Sequence, residues 1–208
     1  MVAITDPTGR LRSITLLVAS DEFGERMIFF RPSLLTTLPG FGENVPSNTV
    51  RFQGADPIGT SVANLFGVRI DKVVVLTTES VATAVTALLL VDLPGPLVVA
   101  DALLESSGTS ARIAMVGVSK GDAVITIIPS TRLEPSGTEE RYQLDGGDAA
   151  SFTALHLPFL QLADEPRVRV EVLNGNGPIG TTQPVAALLV SAGFRIVVTD
   201  NATALTTR

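Results

Sequence analysis

Residues 167–173 read Arg-Val-Arg-Val-Glu-Val-Leu, 174–180 read Asn-Gly-Asn-Gly-Pro-Ile-Gly, 181–193 read Thr-Thr-Gln-Pro-Val-Ala-Ala-Leu-Leu-Val-Ser-Ala-Gly, and 194–200 read Phe-Arg-Ile-Val-Val-Thr-Asp. In the first piece valine alternates with charged residues, which is typical of a half-buried strand. A glycine-rich turn, a short apolar helix and a second apolar strand follow. This order predicts a strand–helix–strand unit with a parallel crossover.

The helix of this unit has recognisable ends. Thr181 or Thr182 can cap its beginning, Pro184 suits its first turn, and Gly193 stands where a left-handed residue is wanted. The spacing of the apolar residues predicts a single buried stripe of Val185, Leu188, Leu189 and Ala192. The strand residues expected to face the core are Val168, Val170 and Val172, then Phe194, Ile196 and Val198.

The turn also matches a nucleotide-binding fingerprint. Gly175, Gly177 and Gly180 spell Gly-x-Gly-x-x-Gly between a strand and a helix, and Asp200 ends the second strand about twenty residues later. However, a dinucleotide fold needs about four more strands, and Pro178 removes an amide that could have held a phosphate. We therefore favour a structural turn that also includes Asn174, with a nucleotide-binding module as an alternative.

Composition excludes several classes of protein. Of 208 residues, 45% are hydrophobic and 17% charged, with a mean hydropathy of +0.39, so the chain must fold to stay in solution. A net charge of -6 argues against a nucleic-acid partner. The absence of cysteine excludes disulfides and thiolate metal sites. The most apolar stretch, 81–100, is interrupted by Asp92 and a Pro-Gly-Pro cluster, so it does not predict a membrane span.

Periodicity along the rest of the chain predicts alternating strands and helices. The strands are expected at 12–20, 27–30, 33–38 and 73–76, the helices at 58–66, 79–90 and 144–155, and a hairpin at 113–118 and 123–128. Residues 158–166 have no periodicity, and two prolines lie in 157–166, so we place a linker there. The predicted domains are therefore 1–157 and 167–208.

Two blocks resemble a known family. The segment 170–180 with the later Ala192-Gly193-Phe194 resembles the opening of the small C-terminal domain of LytR-CpsA-Psr cell-envelope proteins, of which only about the first half is present. The segment 51–71, followed by Lys72-Val-Val-Val-Leu, is similar to part of the catalytic domain of the same class. The resemblance implies an α/β/α sandwich with a mixed central sheet, followed by a small βαβ unit.

The resemblance also implies a chemistry. Members of the class transfer glycopolymers from a polyprenyl-pyrophosphate lipid to peptidoglycan, with Mg²⁺ held by acids and with arginines that bind the pyrophosphate. Asp21 matches the first acid and Glu25 the second, so these two residues are the candidate Mg²⁺ ligands. The implied location is the cell envelope outside the cytoplasm, with a membrane anchor absent from this chain; without the resemblance, the N-terminus would suggest the cytoplasm.

The arginines of the class are missing at the matching positions. Where the class has Ser-Ile-Pro-Arg-Asp, residues 37–41 read Thr-Leu-Pro-Gly-Phe, and where it has an Arg-x-Arg pair, residues 154–156 read Ala-Leu-His. Arg31 and Arg51 remain as substitute phosphate-binding residues. His156, the only histidine, is expected to be a packed or linker residue.

We therefore predict a non-catalytic protein with a binding or scaffolding role, without catalytic residues. Its partner would be a polyprenyl-phosphate lipid or a cell-wall glycopolymer. The alternative is a Mg²⁺-dependent phosphotransferase or pyrophosphatase that acts on polyprenyl-pyrophosphate-linked glycopolymers. A small parallel sheet with an open edge also predicts that a homo-oligomer could form.

Overall fold

The structure is a computed structural model that describes residues 1–38, 40–48, 56–77, 79, 124–134, 140–144, 149–162, 166–175, 178 and 181–201. The chain forms two compact units. The first contains Met1–Pro32 and Asp71–Pro129, and the second contains Ser33–Ile70 and Ser130–Arg208. The units do not follow the domains predicted from sequence, because the chain leaves the first unit at residue 32 and returns to it at residue 71.

The first unit contains a five-stranded mixed sheet. Its strands are β1 (Val2–Thr5), β2 (Leu11–Ser20), β3 (Gly24–Phe30), β6 (Val74–Thr77) and β7 (Val124–Ile127), in the order β6-β1-β2-β3-β7. β2 is antiparallel to β1 and β3, whereas β6 runs parallel to β1 and β7 parallel to β3. The predicted strands at 12–20, 27–30 and 73–76 are confirmed, as is the mixed character of the sheet.

The second unit contains the remaining elements. Its strands are β4 (Thr36–Leu38), β5 (Gly42–Asn44), β8 (Ser130–Arg132), β9 (Tyr142–Leu144), β10 (Arg169–Asn174) and β11 (Arg195–Asn201). Its helices are α1 (Asp56–Phe66), α2 (Ala149–His156) and α3 (Gln183–Ser191), with 3₁₀ turns at Pro46–Asn48 and Pro158–Leu160. β4 pairs with β5 and β8 with β9, both antiparallel, while β10 and β11 are parallel.

Helix α1 is the buried centre of the second unit. Eight of its residues are buried, including Ile58, Val62 and Phe66, so most of its circumference faces the interior. The helix ends as predicted at Gly67, whose φ is 66° and whose N–H donates to the Ala63 carbonyl at 2.8 Å. The expected helix at 58–66 is therefore confirmed, with two further residues at its beginning.

Buried polar contacts hold the C-terminal segment against α1. The Asn64 side chain accepts from the Ile196 N–H at 2.7 Å and donates to the Ile196 carbonyl at 2.9 Å, as a neighbouring strand would. The Arg167 guanidinium donates to the Asn64 carbonyl at 2.9 Å. The Thr153 hydroxyl donates to the Phe66 carbonyl at 2.6 Å. Arg167 and Thr153 thus bind carbonyls that the last turn of a helix leaves without intrahelical partners.

The strand–helix–strand unit has the predicted elements, but the predicted buried stripe of its helix is wrong. Ala186 and Val190 face the core with Val172, Ile196 and Ala63. The expected stripe instead lies largely outside, with Val185 54% and Leu188 70% exposed. The reason is that α3 packs on a sheet of only two strands, which lie about 5 Å apart and cover a narrow face of the helix. The small side chain of Ala186 allows the helix to lie close to these strands.

The residues just before β10 are also buried differently from the prediction. Val168 was expected inside and is 64% exposed, whereas Arg167 was expected outside and is buried. The strand begins only at Arg169, so alternation does not extend to residues 167 and 168. Arg167 is buried because the Asn64 carbonyl offers its guanidinium a charge-assisted hydrogen bond.

Other predicted elements are shorter or lie outside the described residues. The strand expected at 33–38 covers Thr36–Leu38, and the helix expected at 144–155 covers Ala149–His156. The helix at 79–90, apart from residue 79, and the first arm of the 113–128 hairpin lie outside the described residues. Within those residues, no helix is long and apolar enough to cross a membrane.

Candidate functional site

The two candidate Mg²⁺ ligands flank one tight turn in the first unit. Asp21 follows β2 and is exposed, and the Glu25 backbone pairs with Ala19 one residue beyond the Ser20–Gly24 pair. The Ser20 hydroxyl accepts from the N–H groups of Glu22 and Phe23, both at 3.3 Å. The positive φ of Gly24, 71°, closes the turn.

Arg31, one of the two candidate phosphate-binding residues, does not join this turn. Arg31 follows the last residue of β3, at the opposite end of the strand from Glu25. A strand rises about 3.4 Å per residue, so the two backbone positions are about 20 Å apart. Arg51 lies outside the described residues. Within the described part of the chain, no three histidine or acidic side chains come close enough to hold a metal ion, and the assignment of Asp21 and Glu25 stays a prediction.

The second unit contains a cavity of about 520 Å³, which we call the Thr199 cavity. It opens at the carboxyl ends of the parallel strands β10 and β11, near the beginning of α3. In open α/β sheets this end is where ligands bind. The lining residues are Thr37, Gly40, Phe41, Gly42, Glu43, Asn174, Thr182, Val197, Val198, Thr199 and Asp200.

Glycine forms the wall that the β4–β5 turn contributes to the cavity. Gly40 has φ 90°, and a Cβ built on it would lie 3.1 Å from the backbone nitrogen of Gln183. Gly42 has φ 75°, and its Cβ would lie 3.3 Å from the Thr199 carbonyl. Positive φ is costly for residues with a side chain, so both conformation and close approach require glycine here.

Thr199 fixes this turn to β11. Its hydroxyl accepts from the Gly42 N–H at 2.8 Å and donates to the Leu38 carbonyl at 3.1 Å. One buried side chain therefore holds the turn at Leu38 and at Gly42. These two hydrogen bonds fix this wall of the cavity.

Asn174, at the end of β10, lines the cavity from another segment. The buried Asn174 amide donates to the Pro178 carbonyl at 2.7 Å, which spans the turn, and the Thr181 hydroxyl donates to the same carbonyl. This contact supports a structural role for Asn174. Gly175 is described and exposed, whereas Gly177 and Gly180 lie outside the described residues, so their role stays a prediction.

The charge of the lining is negative. Glu43 and Asp200 line the cavity, and no lysine, arginine or histidine does so among the residues that the structure describes. Sequence reasoning singled out Asp200 and Asn174 but missed Thr37, Phe41, Glu43 and Thr199. The one signal available was the pair of glycines in Pro39-Gly40-Phe41-Gly42, which is typical of a tight turn near another backbone.

His156 is a packed residue, as predicted. Its ring lies against Phe152, with the ring centroids 4.5 Å apart, and Phe152 in turn contacts Phe66 at 5.5 Å. The histidine therefore extends an aromatic row at the end of α2, where it contributes to packing.

Comparison with protein families identifies the C-terminal segment. Residues 167–208 match the model of LytR_C, described as LytR cell envelope-related transcriptional attenuator. This match covers the strand–helix–strand unit and the residues that follow it. No curated protein matches the sequence significantly.

Solved structures share the fold. Lmo1026 from Listeria monocytogenes (fragment 52–321) is 10% identical, with a TM-score of 0.52 over 78% of this chain and 97% of that chain. TagT bound to LI-WTA, a Bacillus subtilis protein, is 11% identical, with a TM-score of 0.50 over 76% of this chain and 89% of that chain.

A further structure is described as the LytR-CPS2A-psr family protein YwtF (TagT) with bound octaprenyl pyrophosphate lipid; it is 12% identical, with a TM-score of 0.49 over 76% of this chain and 89% of that chain. At 10–12% identity, the similarity of this chain to Lmo1026 and TagT shows a shared fold only. The mixed α/β fold and the match at 167–208 together confirm the predicted resemblance of this chain to LytR-CpsA-Psr proteins.

Proposed function

We propose that the protein is a non-catalytic member of the cell-envelope machinery, located outside the cytoplasm, that binds or scaffolds components of cell-wall glycopolymer assembly. The observation that carries the proposal is the conformation of Gly40. The resemblance puts an arginine of the pyrophosphate-binding set at this position. Here φ is 90° and a Cβ would lie 3.1 Å from Gln183 atoms, so any side chain at this position would be crowded and its backbone strained.

The loss of this arginine has an energetic consequence. A hydrogen bond to a charged group contributes about 1.5–3 kcal/mol. Three such arginines are missing from the positions that the resemblance implies, which corresponds to a loss in pyrophosphate affinity of about a thousandfold or more. A leaving phosphate also needs its developing charge neutralised by metal and forked donors. The missing arginines therefore oppose catalysis of phosphate transfer.

The similar proteins support the link to wall polymers. TagT is described with bound octaprenyl pyrophosphate lipid and bound to LI-WTA, and the matched family is described as cell envelope-related. We therefore propose a polyprenyl-phosphate lipid or an attached glycopolymer as the partner of this chain.

The test is an assay for cleavage of a soluble polyprenyl pyrophosphate with and without Mg²⁺. We expect no Mg²⁺-dependent release of phosphate above that of heat-denatured protein. Release that requires Mg²⁺ and is abolished by chelation would overturn the non-catalytic proposal.

One observation favours a second candidate, a Mg²⁺-dependent phosphotransferase or pyrophosphatase. Asp21 and Glu25 flank a single hydrogen-bonded turn, and carboxylates on such a turn are suitable Mg²⁺ ligands. The resemblance offers Arg31 or Arg51 as substitute donors, but the Arg31 backbone lies about 20 Å from that of Glu25 along β3, which leaves Arg51 for this role. If the assay above detects activity, Asp21→Ala should abolish it, and activity of this variant equal to that of the unchanged chain would eliminate the candidate.

The nucleotide-binding alternative stays a prediction. It fails if millimolar adenine nucleotide does not raise the melting temperature, since a ligand that binds only the folded state must stabilise it.

A further inference from the structure

We propose that the outer edge of β10 pairs with the same edge of a second copy of this chain, in antiparallel orientation, to form a twofold-symmetric dimer. The small sheet of the second unit has two edges. On the β11 edge, the Asn64 side chain already binds the Ile196 backbone at 2.7 and 2.9 Å. Among the described residues, only β11 pairs with β10, so the other edge of β10 is open. The proposal concerns self-association and is independent of the proposed function.

The backbone of β10 has hydrogen-bonding groups on this open edge. The Val168 carbonyl accepts from the Arg195 N–H at 2.9 Å, so the backbone groups of Val168 point towards β11. These groups alternate along a strand, so those of Arg169 and Glu171 point away from β11. The one irregularity of the pairing leaves Val197 of β11 without a partner, and β10 keeps its alternation. A row of such groups is a template for another strand.

Charge makes this edge complementary to itself. Arg169 and Glu171 are exposed, and no ion pair joins either of them to another described residue. In an antiparallel pair centred on Val170, Arg169 of each copy lies opposite Glu171 of the other, so two opposite-charge pairs form. Arg169 also lies beside Arg195 of its own chain in the β10–β11 register. A carboxylate from the second copy reduces the repulsion between these two arginines.

The same charges select one register. A twofold axis at Glu171 would place two carboxylates opposite each other, and an axis at Arg169 would do the same with two guanidinium groups; like charges in this position are destabilising. The axis therefore passes between the Val170 residues of the two copies. Val168, which is 64% exposed, then lies opposite Val172 of the second copy and gains an apolar neighbour.

Helix α3 adds a second contact. It packs on β10 and β11, so in the dimer the helices of the two copies lie on one face of a four-stranded sheet. Their axes are separated by two strand spacings, about 10 Å, and packed helices lie about 8–10 Å apart. Residues 181–194 include no charged residue, and Val185 and Leu188 are 54% and 70% exposed. An uncharged helix with exposed apolar side chains suits this contact.

The size of the contact predicts its strength. It consists of the six residues of β10 and one side of the nine-residue α3. Stable interfaces use about 20–30 residues from each partner. We therefore expect a reversible dimer with a dissociation constant of about 10–100 µM.

The experiment is sedimentation velocity of the complete chain from about 5 µM to about 1 mM. We expect monomer at the lowest concentration and mostly dimer at the highest. The measurement is then repeated on charge variants, each checked for its fold by circular dichroism.

Arg169→Glu and Glu171→Arg each place like charges opposite each other, so each should weaken dimerisation by at least about tenfold. The double variant exchanges the two charges and should restore the dimer. An equimolar mixture of the two single variants should also restore it, because every opposite-charge pair then joins different chains. Glu22→Arg is the control: it is exposed in the β2–β3 turn, changes the net charge as Glu171→Arg does, and should leave the dissociation constant unchanged.

Introduced cysteines test the register, since the sequence has none of its own. In the proposed dimer the Cα atoms of the two Val170 residues are about 4.5 Å apart, within the range of about 4.4–6.8 Å that a disulfide bridges. Oxidation of Val170→Cys should therefore give a covalent dimer. Leu173→Cys is the control, because this exposed residue would lie about 20 Å from its copy and should stay monomeric under the same oxidation.

Four outcomes would overturn the inference. The first is a chain that remains monomeric at about 1 mM, which would leave the edge to a strand of another protein. The second is dimerisation that both single charge variants retain. The third is a mixture of these variants that forms no more dimer than either alone. The fourth is a covalent dimer of Leu173→Cys without one of Val170→Cys. If Val170→Cys does not fold, the mixture of charge variants decides.

Discussion

Gly40 and Gly24 have similar backbone conformations and different surroundings, which makes them a matched pair. Their φ values are 90° and 71°, but a Cβ on Gly40 would meet Gln183 at 3.1 Å, whereas one on Gly24 would meet nothing within 4 Å. An alanine in this conformation costs about 1–2 kcal/mol, and overpacking adds about 1–3 kcal/mol. We expect Gly40→Ala to lower the free energy of unfolding by at least about 1 kcal/mol more than Gly24→Ala.

The measurement is urea-induced unfolding of the two variants and the unchanged chain, followed by circular dichroism. Equal losses in the two variants would mean that the close approach of the β4–β5 turn to α3 is not a constraint. The argument for the missing arginine at position 40 would then fail as well.

Asn64 is the second residue with a testable contribution. Its side chain makes two buried hydrogen bonds with the Ile196 backbone, and its removal leaves a buried N–H and a buried carbonyl without partners. We expect Asn64→Ala to lower the free energy of unfolding by about 3 kcal/mol. Asn48→Ala is the control, because Asn48 is partly exposed and its side chain donates to the nearby Asn44 side chain at 2.9 Å.

A loss below about 1 kcal/mol for Asn64→Ala, or one equal to that of Asn48→Ala, would contradict this account. Thermal and urea unfolding would detect either result.

At the scale of single elements, the turn between β1 and β2 is organised by Asp6. Its carboxylate accepts from the Thr8 hydroxyl at 2.6 Å, the Thr8 N–H at 3.0 Å and the Arg10 N–H at 2.9 Å, and pairs with Arg12 at 2.8 Å. The hydrogen bond from the Thr8 side chain, followed by that from the Arg10 backbone, lowers the pKa of Asp6 from 3.8 to about 2.

Because the folded pKa is depressed, the carboxylate contributes stability above the unfolded value of 3.8, and this contribution is lost as pH falls towards about 2. We expect the melting temperature of Asp6→Asn to fall less than that of the unchanged chain between about pH 5 and pH 2. Thr8→Val should shift the acid transition to higher pH, since it removes the first of these hydrogen bonds. Parallel pH profiles of the three proteins would contradict the assignment.

The sequence predicted the type of most elements, because type depends on local periodicity. The continuous apolar run of β2, the apolar spacing in α1, and the glycines that end α1 and α3 each act within a few residues. Which face of an element is buried depends on its neighbours. The prediction of which α3 residues are buried was therefore wrong, since Ala186 and Val190 are buried by contact with Ala63, Val172 and Ile196.

At the scale of the whole molecule, the C-terminal segment is part of the second unit rather than a separate attachment. Val172, Ala186, Val190 and Ile196 share a core with Ala63 of α1, and Asn64 and Arg167 add buried hydrogen bonds across the same contact. We expect deletion of 167–208 to expose α1 to water and to abolish its fold.

Hydrogen exchange followed by mass spectrometry measures this effect. The amides of Asp56–Phe66 should lose protection by at least about tenfold in the shortened chain, with the β2–β3 hairpin as an internal reference. Unchanged protection of α1 would support instead the independent domain predicted at 167–208.

The candidate sites were predictable to different degrees. Asp21 and Glu25 were found because they follow a recognisable strand and match a resemblance. The Thr199 cavity was not, because its wall depends on a contact between Gly42 and Thr199, which lie 157 residues apart. Neither residue type is unusual at its position, so no local pattern indicates that the two meet.

The sequence alone determined the presence of both strands and helices and the strand–helix–strand unit at the C-terminus, because periodicity and turn residues act over short distances. The mixed sheet was expected from the resemblance to LytR-CpsA-Psr proteins. The tertiary structure decided which residues are buried, the role of Arg167, the fixed β4–β5 turn and the acidic Thr199 cavity. These features arise from hydrogen bonds and close packing between segments more than a hundred residues apart, where partner identity is set by the fold and not by neighbouring sequence.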